Sequence, residues 1–124
     1  MNCSKCGGVF EEIEYSGIKC NRCVSCQGIL FSMLDHEHLK GIEGSESIDI
    51  GDAQVGKQYN SVHRIACPEC ATRMIPMVDR DQPHIWYEAC TFCYSVFFDA
   101  GEFTDFKEKT VLDFFRDLIA GERK

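Results

Sequence analysis

Nine cysteines carry the chemistry open to this sequence, and eight of them fall into four C-x-x-C pairs: Cys3/Cys6, Cys23/Cys26, Cys67/Cys70 and Cys90/Cys93. Two thiolates at this spacing reach one ion from a tight turn, and two such pairs supply the four soft ligands of a tetrahedral metal. Each half of the chain holds two pairs separated by a hairpin-sized interval. The spacing therefore predicts one metal per half, held by Cys3, Cys6, Cys23 and Cys26 and by Cys67, Cys70, Cys90 and Cys93. Sites closed by four cysteines leave no position for water or substrate, so two structural Zn2+ ions are expected, without a catalytic role.

Disulfides are the competing use of so many cysteines. The segment Met1-Asn2-Cys3-Ser4-Lys5-Cys6 has no basic region, apolar run or small-residue cleavage site of a secretory leader. No stretch approaches the roughly 18–20 apolar residues of a membrane span. A cytoplasmic protein without membrane contact is the expectation, and in that compartment paired C-x-x-C motifs serve metals. The odd count of nine also fits a disulfide framework poorly. Tetrahedral thiolate sites of this type accept iron as well, so an iron-binding, rubredoxin-like electron carrier stands as a third functional reading.

The elements that must position these ligands recur. Cys3 to Cys67 is an offset of 64 and Cys23 to Cys90 one of 67, so the second hairpin is three residues longer than the first. Val9–Tyr15 reads as a strand, Ser16-Gly17 as a turn and 18–22 as the return strand. Ile29-Leu30-Phe31 follows the second pair as a short apolar strand. Ser32 then reads as the N-cap of a short helix, with Asp35 three residues on and Gly41 as its stop. In the second half Met74–Val78 is a strand that Pro76 marks as an edge, Asp79–Pro83 a turn, 84–88 the return and Tyr94–Phe98 the apolar strand. Asp99-Ala100-Gly101-Glu102 reads as a capping box opening a longer helix that runs to Ala120 and stops at Gly121. On that helix Phe103, Phe106, Phe114 and Leu118 share one row, with Val111, Phe115 and Ile119 beside it.

The fold class that results is a small metal-stabilised α+β protein. It has two tandem zinc ribbons, each a β-hairpin plus short strand followed by a helix, with a longer C-terminal amphipathic helix. Residues 1–43 form the first unit, 44–62 a Gly-, Ser- and acid-rich linker, and 63–124 the second unit with the terminal helix. Units of about 40 residues bury too little apolar surface to fold unaided. A structural zinc supplies roughly 10–16 kcal/mol of apparent binding free energy, which becomes folding free energy when the metal-free unit is unfolded.

Cys20 is the unpaired member, and Cys20-Asn21-Arg22-Cys23 is itself a C-x-x-C. The second half decides the register: three residues before Cys90 stands Tyr87, so a ligand set common to both halves uses Cys23 and Cys26. Cys20 is expected as a buried free thiol, the sharper alternative being a redox-sensitive thiol or spare ligand. The histidines His36, His38, His63 and His84 make no H-E-x-x-H and are expected to be exposed or capping. No P-loop or dinucleotide fingerprint occurs, and no enzyme activity is expected.

The net charge is −7, and no region reverses it: Lys plus Arg against Asp plus Glu run four to six, one to three and eight to eleven over 1–43, 44–62 and 63–124. Two filled four-thiolate sites add about −2 each. Nucleic-acid binders usually carry a basic stripe, so this balance disfavours such a partner and leaves a protein partner as the expectation. Lys5, Lys19, Arg22, Arg64, Arg73 and Arg80 around the hairpins keep a nucleic-acid-binding ribbon as the alternative. The apolar helix face over 103–119 either packs across both ribbons or serves self-association or docking.

The pattern Cys3-x-x-Cys6-Gly7-Gly8 with Cys23-x-x-Cys26-x-Gly28-Ile29 resembles the transcription-factor-IIB-type zinc-finger domain of small bacterial proteins. Cys67-Pro68-x-Cys70, Cys90-x-x-Cys93 and Phe98-Asp99-Ala100-Gly101-Glu102-Phe103 resemble a second copy, so the likeness covers about 1–41 and 65–106. Gln27, Tyr94 and Ser95 stand where that family usually has glycine, and Ser32 where it has aspartate. The resemblance implies zinc ribbons with eight cysteine ligands and a link to transcription. The reading that results is a non-enzymatic, zinc-binding adaptor for protein interaction.

Overall fold

Alternation of acidic and apolar residues makes the first hairpin. In β1 (Phe10–Tyr15) Ile13 and Tyr15 face inward between Glu12 and Glu14, and β2 (Ile18–Cys23) returns antiparallel with Glu11 opposite Arg22 and Ile13 opposite Cys20. Ser16 and Gly17 both have positive φ, 53° and 83°, the twist a two-residue hairpin turn demands. The computed structural model describes residues 1–62, 64–78 and 85–107. The longer C-terminal helix expected beyond 107, the turn at Asp79–Pro83, His63 and His84 lie outside them.

After the second knuckle β3 (Ile29–Phe31) is wholly buried, and α1 (Asp35–Lys40) follows. A 3-10 turn (Ser45–Ile48) and α2 (Ala53–Tyr59) then lead to the second ribbon. That ribbon holds β4 (Ile75–Val78), β5 (Trp86–Ala89) and β6 (Val96–Phe98), and residues 102–107 form the helix α3. The six strands make one antiparallel sheet in the order β1-β2-β3-β6-β5-β4, which joins the two ribbons through β3 and β6. Pro76 sits on the edge strand β4, where a missing amide donor is tolerated.

The joint is self-complementary. Ile29 pairs with Phe98, Leu30 with Phe97 and Phe31 with Val96, so equivalent residues of the repeat exchange places about the Leu30–Phe97 pair. The flanking registers repeat as well. Asn21 opposite Leu30 matches Glu88 opposite Phe97, and Glu11 opposite Arg22 matches Ile75 opposite Ala89. The three extra residues of the second hairpin are therefore absorbed between β4 and β5 and leave the register near the cysteines unchanged.

Side chains alternate across the sheet and divide the core in two. One face carries Cys20, Ile29, Phe31, Val96 and Phe98 and is covered by Leu39, Ile48, Phe103 and Phe106. The other face carries Leu30, Phe97, Cys23 and Cys90, with Phe10, Tyr59 and the remaining thiols packed on it.

Both helices that follow the ribbons begin differently from expectation. Ser32 does not cap α1: the N-cap is Leu34, with φ 64° and no side-chain cap, and Ser32 contributes only its carbonyl, to the Asp35 amide at 3.0 Å. Leu34 is the repeat equivalent of Gly101, φ 83°, so the same left-handed step precedes each helix. At α3 the expected capping box does not form. The amides of Gly101 and Thr104 donate instead to the carboxylate of Asp49 in the linker, each at 2.9 Å, and the Thr104 hydroxyl lies 3.0 Å from it. The linker thereby supplies the cap for a helix some fifty residues away. It packs closely too: Gly56 of α2 lies against the Ala100 backbone, where a Cβ would overlap the Ala100 carbonyl.

Candidate metal centres

One backbone device is used four times to hold the thiols. In each knuckle the amide of the first cysteine bonds the carbonyl five residues on: Cys3 to Gly8, Cys23 to Gly28, Cys67 to Thr72 and Cys90 to Ser95, at 2.7–2.9 Å. The residue after the second cysteine turns left-handed in every case, with φ 79° at Gly7, 62° at Gln27, 65° at Ala71 and 64° at Tyr94. Glycine takes this conformation without cost, whereas the other three carry a Cβ against the following carbonyl. The departures of Gln27 and Tyr94 from glycine are thus accommodated with the turn intact.

The hairpins bring Cys3, Cys6, Cys23 and Cys26 into one cluster and Cys67, Cys70, Cys90 and Cys93 into another, with all sulfurs of a cluster within 4.8 Å of one another. The closest pairs are Cys6–Cys23 at 3.4 Å and Cys3–Cys26 at 3.9 Å in the first, and Cys70–Cys90 at 3.4 Å and Cys67–Cys93 at 3.6 Å in the second. A disulfide would need about 2.05 Å. Four sulfurs about 2.3 Å from a central zinc lie ~3.8 Å apart in a regular tetrahedron. The observed separations match the metal geometry and exclude the covalent one.

The surroundings are those of thiolates. The Gly8 amide lies 3.4 Å from Cys6 Sγ, and the amides of Phe92 and Cys93 lie 3.4 Å from Cys90 Sγ. Ser95 Oγ is 3.2 Å from Cys93 Sγ. The three amide donors orient and stabilise ligating sulfur, whereas at Ser95 the Cys93 thiol is the donor. Within the first cluster the hydrogen bond with Cys26 pulls Cys3 down to about 5 and pushes Cys26 up. In the second, the Thr72 hydroxyl and amide draw Cys70 down to about 6, while burial pushes Cys67 up to about 12. Four thiols in one small volume cannot all ionise against each other, and a divalent cation removes that conflict. Each cluster therefore fits one structural zinc held by four cysteines, with no coordination position left over.

Cys20 lies on the opposite sheet face from Cys23, inside the apolar cluster with Ile29 and Phe31, and burial pushes its thiol up to about 12. A separation of three along a strand puts two side chains on opposite faces, which keeps Cys20 away from the metal. Its repeat equivalent Tyr87 packs on the same cluster and stacks on Phe98. His36 does not match the expectation of an exposed or capping residue: its ring packs among Phe31, Phe98 and Phe106 at 5.9–6.3 Å. His38 is exposed.

Two ties around the centres had no signal in the sequence. Lys5, inside the first knuckle, reaches across to Asp99 after β6 at 2.7 Å, and both side chains are almost fully buried. Asn60, after α2, donates to Glu102 at 3.0 Å. Burial raises the carboxyls of Asp99 and Glu102, against the lowering effects of Lys5 and of the Asn60 hydrogen bond.

No helix among the described residues is long and apolar enough to cross a membrane. Comparison with curated proteins and with solved structures finds no match. A family model does match. Residues 2–41, the first ribbon with α1, correspond to the transcription factor zinc-finger family of TFIIB-type zinc ribbons. That match stops short of the second ribbon, whose four-cysteine cluster over 67–93 is consistent with a second copy. The first four-cysteine centre with its hairpin, β3 and α1 is therefore the part of the chain that is similar to a TFIIB-type zinc ribbon.

Proposed function

We propose that this chain is a non-enzymatic adaptor, two structural zinc ions holding a surface that binds protein, with a link to transcription suggested by the family of its first ribbon. The observation that carries the reading is the exposed apolar surface that the described residues of the second ribbon present. All four residues of the edge strand β4 are exposed and none is charged, and Trp86, Phe92 and Tyr94 are exposed beside them. Edge strands that have no partner are usually blunted by charge. The opposite edge, β1, is blunted in this way by Glu11, Glu12 and Glu14. Closed thiolate centres shape this surface and take no part in chemistry.

Three of the six basic residues named for a nucleic-acid ribbon are engaged by acidic residues of the fold, while Arg64 and Arg73 are exposed. Lys5 is consumed inside the fold by Asp99, Arg22 is held by Glu11 and the Ile48 carbonyl, and Lys19 pairs with Glu12. A photo-crosslinking residue at Phe92 in the zinc-loaded chain tests the proposal in cells. A discrete protein adduct, lost when Tyr94 is changed to Ser, is the expected result. Adducts to nucleic acid alone, or none above background, overturn it. Metal analysis near two zinc per chain removes the iron electron-carrier reading.

A further inference from the structure

A cavity of about 240 Å3 opens on the metal-bearing face of the sheet, between the β4–β5 hairpin and the first knuckle. Its rim is apolar, formed by Pro76, Val78 and Trp86, and its floor is polar, formed by Lys5, Asn60 and Asp99. The floor's donors are engaged within the fold, each with at least one acceptor. Lys5 Nζ donates to the Tyr59 carbonyl at 3.0 Å and to Asp99 Oδ2 at 2.7 Å, and Asn60 Nδ2 donates to Glu102. Glu88 also lines the cavity and has a contact of its own, and beside it two acceptors remain on the floor. Asp99 Oδ1 and Asn60 Oδ1 are both buried and accept no hydrogen bond among the described residues. Buried acceptors left this way are rare and costly.

We infer that this cavity receives a basic side chain of a protein partner, an ammonium or guanidinium on an aliphatic stem. The stem lies along Pro76 and Val78, the cationic head meets the face of Trp86, and its N–H groups are carried down toward Asp99 Oδ1 and Asn60 Oδ1. A cation is favoured over a neutral donor on three grounds. A carboxylate oxygen makes stronger hydrogen bonds to charged donors. An indole face attracts cations. Lys5 is the only cation among the described lining residues, and Asp99 already neutralises it. The inference rests on the protein-interaction reading and names the partner's chemistry at one point.

Trp86 is the only tryptophan of the chain, so its indole N–H gives a single reporter in a nitrogen-correlated NMR spectrum. The zinc-loaded full chain is titrated with blocked arginine, blocked lysine and blocked norleucine amides. The expected result is a shift of the Trp86 indole and of the amides around Lys5, Asn60 and Asp99, with either basic probe binding at least tenfold tighter than norleucine. Asn60→Leu should weaken the basic probes about tenfold. Val78→Lys, a substitution on the exposed rim that keeps the fold, should weaken them by competing as a tethered cation. Equal binding of norleucine, no shift with any probe, or shifts that map elsewhere overturn the inference. Agmatine binding tenfold tighter than blocked arginine overturns the protein source in favour of a free cationic small molecule. Crosslinking from Phe92 is a separate readout, so protein adducts combined with an unresponsive Trp86 would remove this inference alone.

Discussion

Replacing Lys5 by Met should be among the most damaging single changes outside the metal ligands. It leaves Asp99 buried without its counter-ion, and one of that carboxylate's oxygens already lacks a partner among the described residues. Breaking a buried pair from one side costs about 3–5 kcal/mol, which raises the unfolded fraction by roughly two to three and a half powers of ten. Replacing both partners, Lys5→Met with Asp99→Leu, removes the stranded charge and should return to within about 1 kcal/mol of the parent. The residue of the loss is the Tyr59 carbonyl, deprived of its Lys5 donor. Urea unfolding followed by Trp86 fluorescence measures all three chains, with free zinc buffered at one value so that metal linkage is constant. The pH dependence has a definite sign. Burial raises the Asp99 carboxyl and Lys5 lowers it, so removing Lys5 raises it further. A carboxyl raised in the folded state stabilises when protonated, and that contribution is lost as pH rises through its folded value. The Lys5→Met deficit should therefore widen with rising pH. A cost under about 1 kcal/mol, or a double variant no more stable than Lys5→Met, would refute the reasoning.

Three other outcomes follow from the same geometry. Asp49→Ala strips α3 of its cap and should cost about 1–2 kcal/mol in thermal or urea unfolding, with Asp49→Asn retaining much of the stability. Ala71→Gly relieves a left-handed alanine and should stabilise by roughly 1 kcal/mol, whereas Gly28→Ala drives a Cβ into the Phe97 ring and should cost about 1–3 kcal/mol; calorimetry distinguishes the signs. Cys20→Ser should keep two zinc ions per chain and Cys23→Ser only one, by elemental analysis. With its thiol pushed up to about 12, Cys20 should resist iodoacetamide at pH 8 until the chain is unfolded.

The parts legible beforehand were those written in local spacing. The cysteine quartets, the two hairpins, the apolar strand after each second knuckle and the edge position of Pro76 all follow from neighbours a few residues apart. The exclusion of Cys20 was legible through the repeat, and strand alternation would have given it independently. What failed was helix capping. Ser32 and Asp99 have the right residue types at the right offsets, but a left-handed step at Leu34 and Gly101 moves each helix start two residues on. Asp99 is then drawn to Lys5 and its place is filled by Asp49. Residue type alone cannot rank a local cap against a buried ion pair formed across ninety residues. The joining of both ribbons into one sheet was likewise silent, because Ile29-Leu30-Phe31 reads as a short apolar strand of the small core beside the metal and nothing local names β6 as its neighbour.

That pairing of β3 with β6 has a consequence for how the protein must be built. A single ribbon would end in a fully apolar strand with one edge open, and the best available partner for that edge would be the same strand of another molecule. Two separate copies would meet only as often as their concentration allowed. Placing both on one chain, with a linker of some twenty residues, raises the local concentration of each for the other to the millimolar range. An encounter between molecules becomes a folding step, and dilution can no longer part the halves.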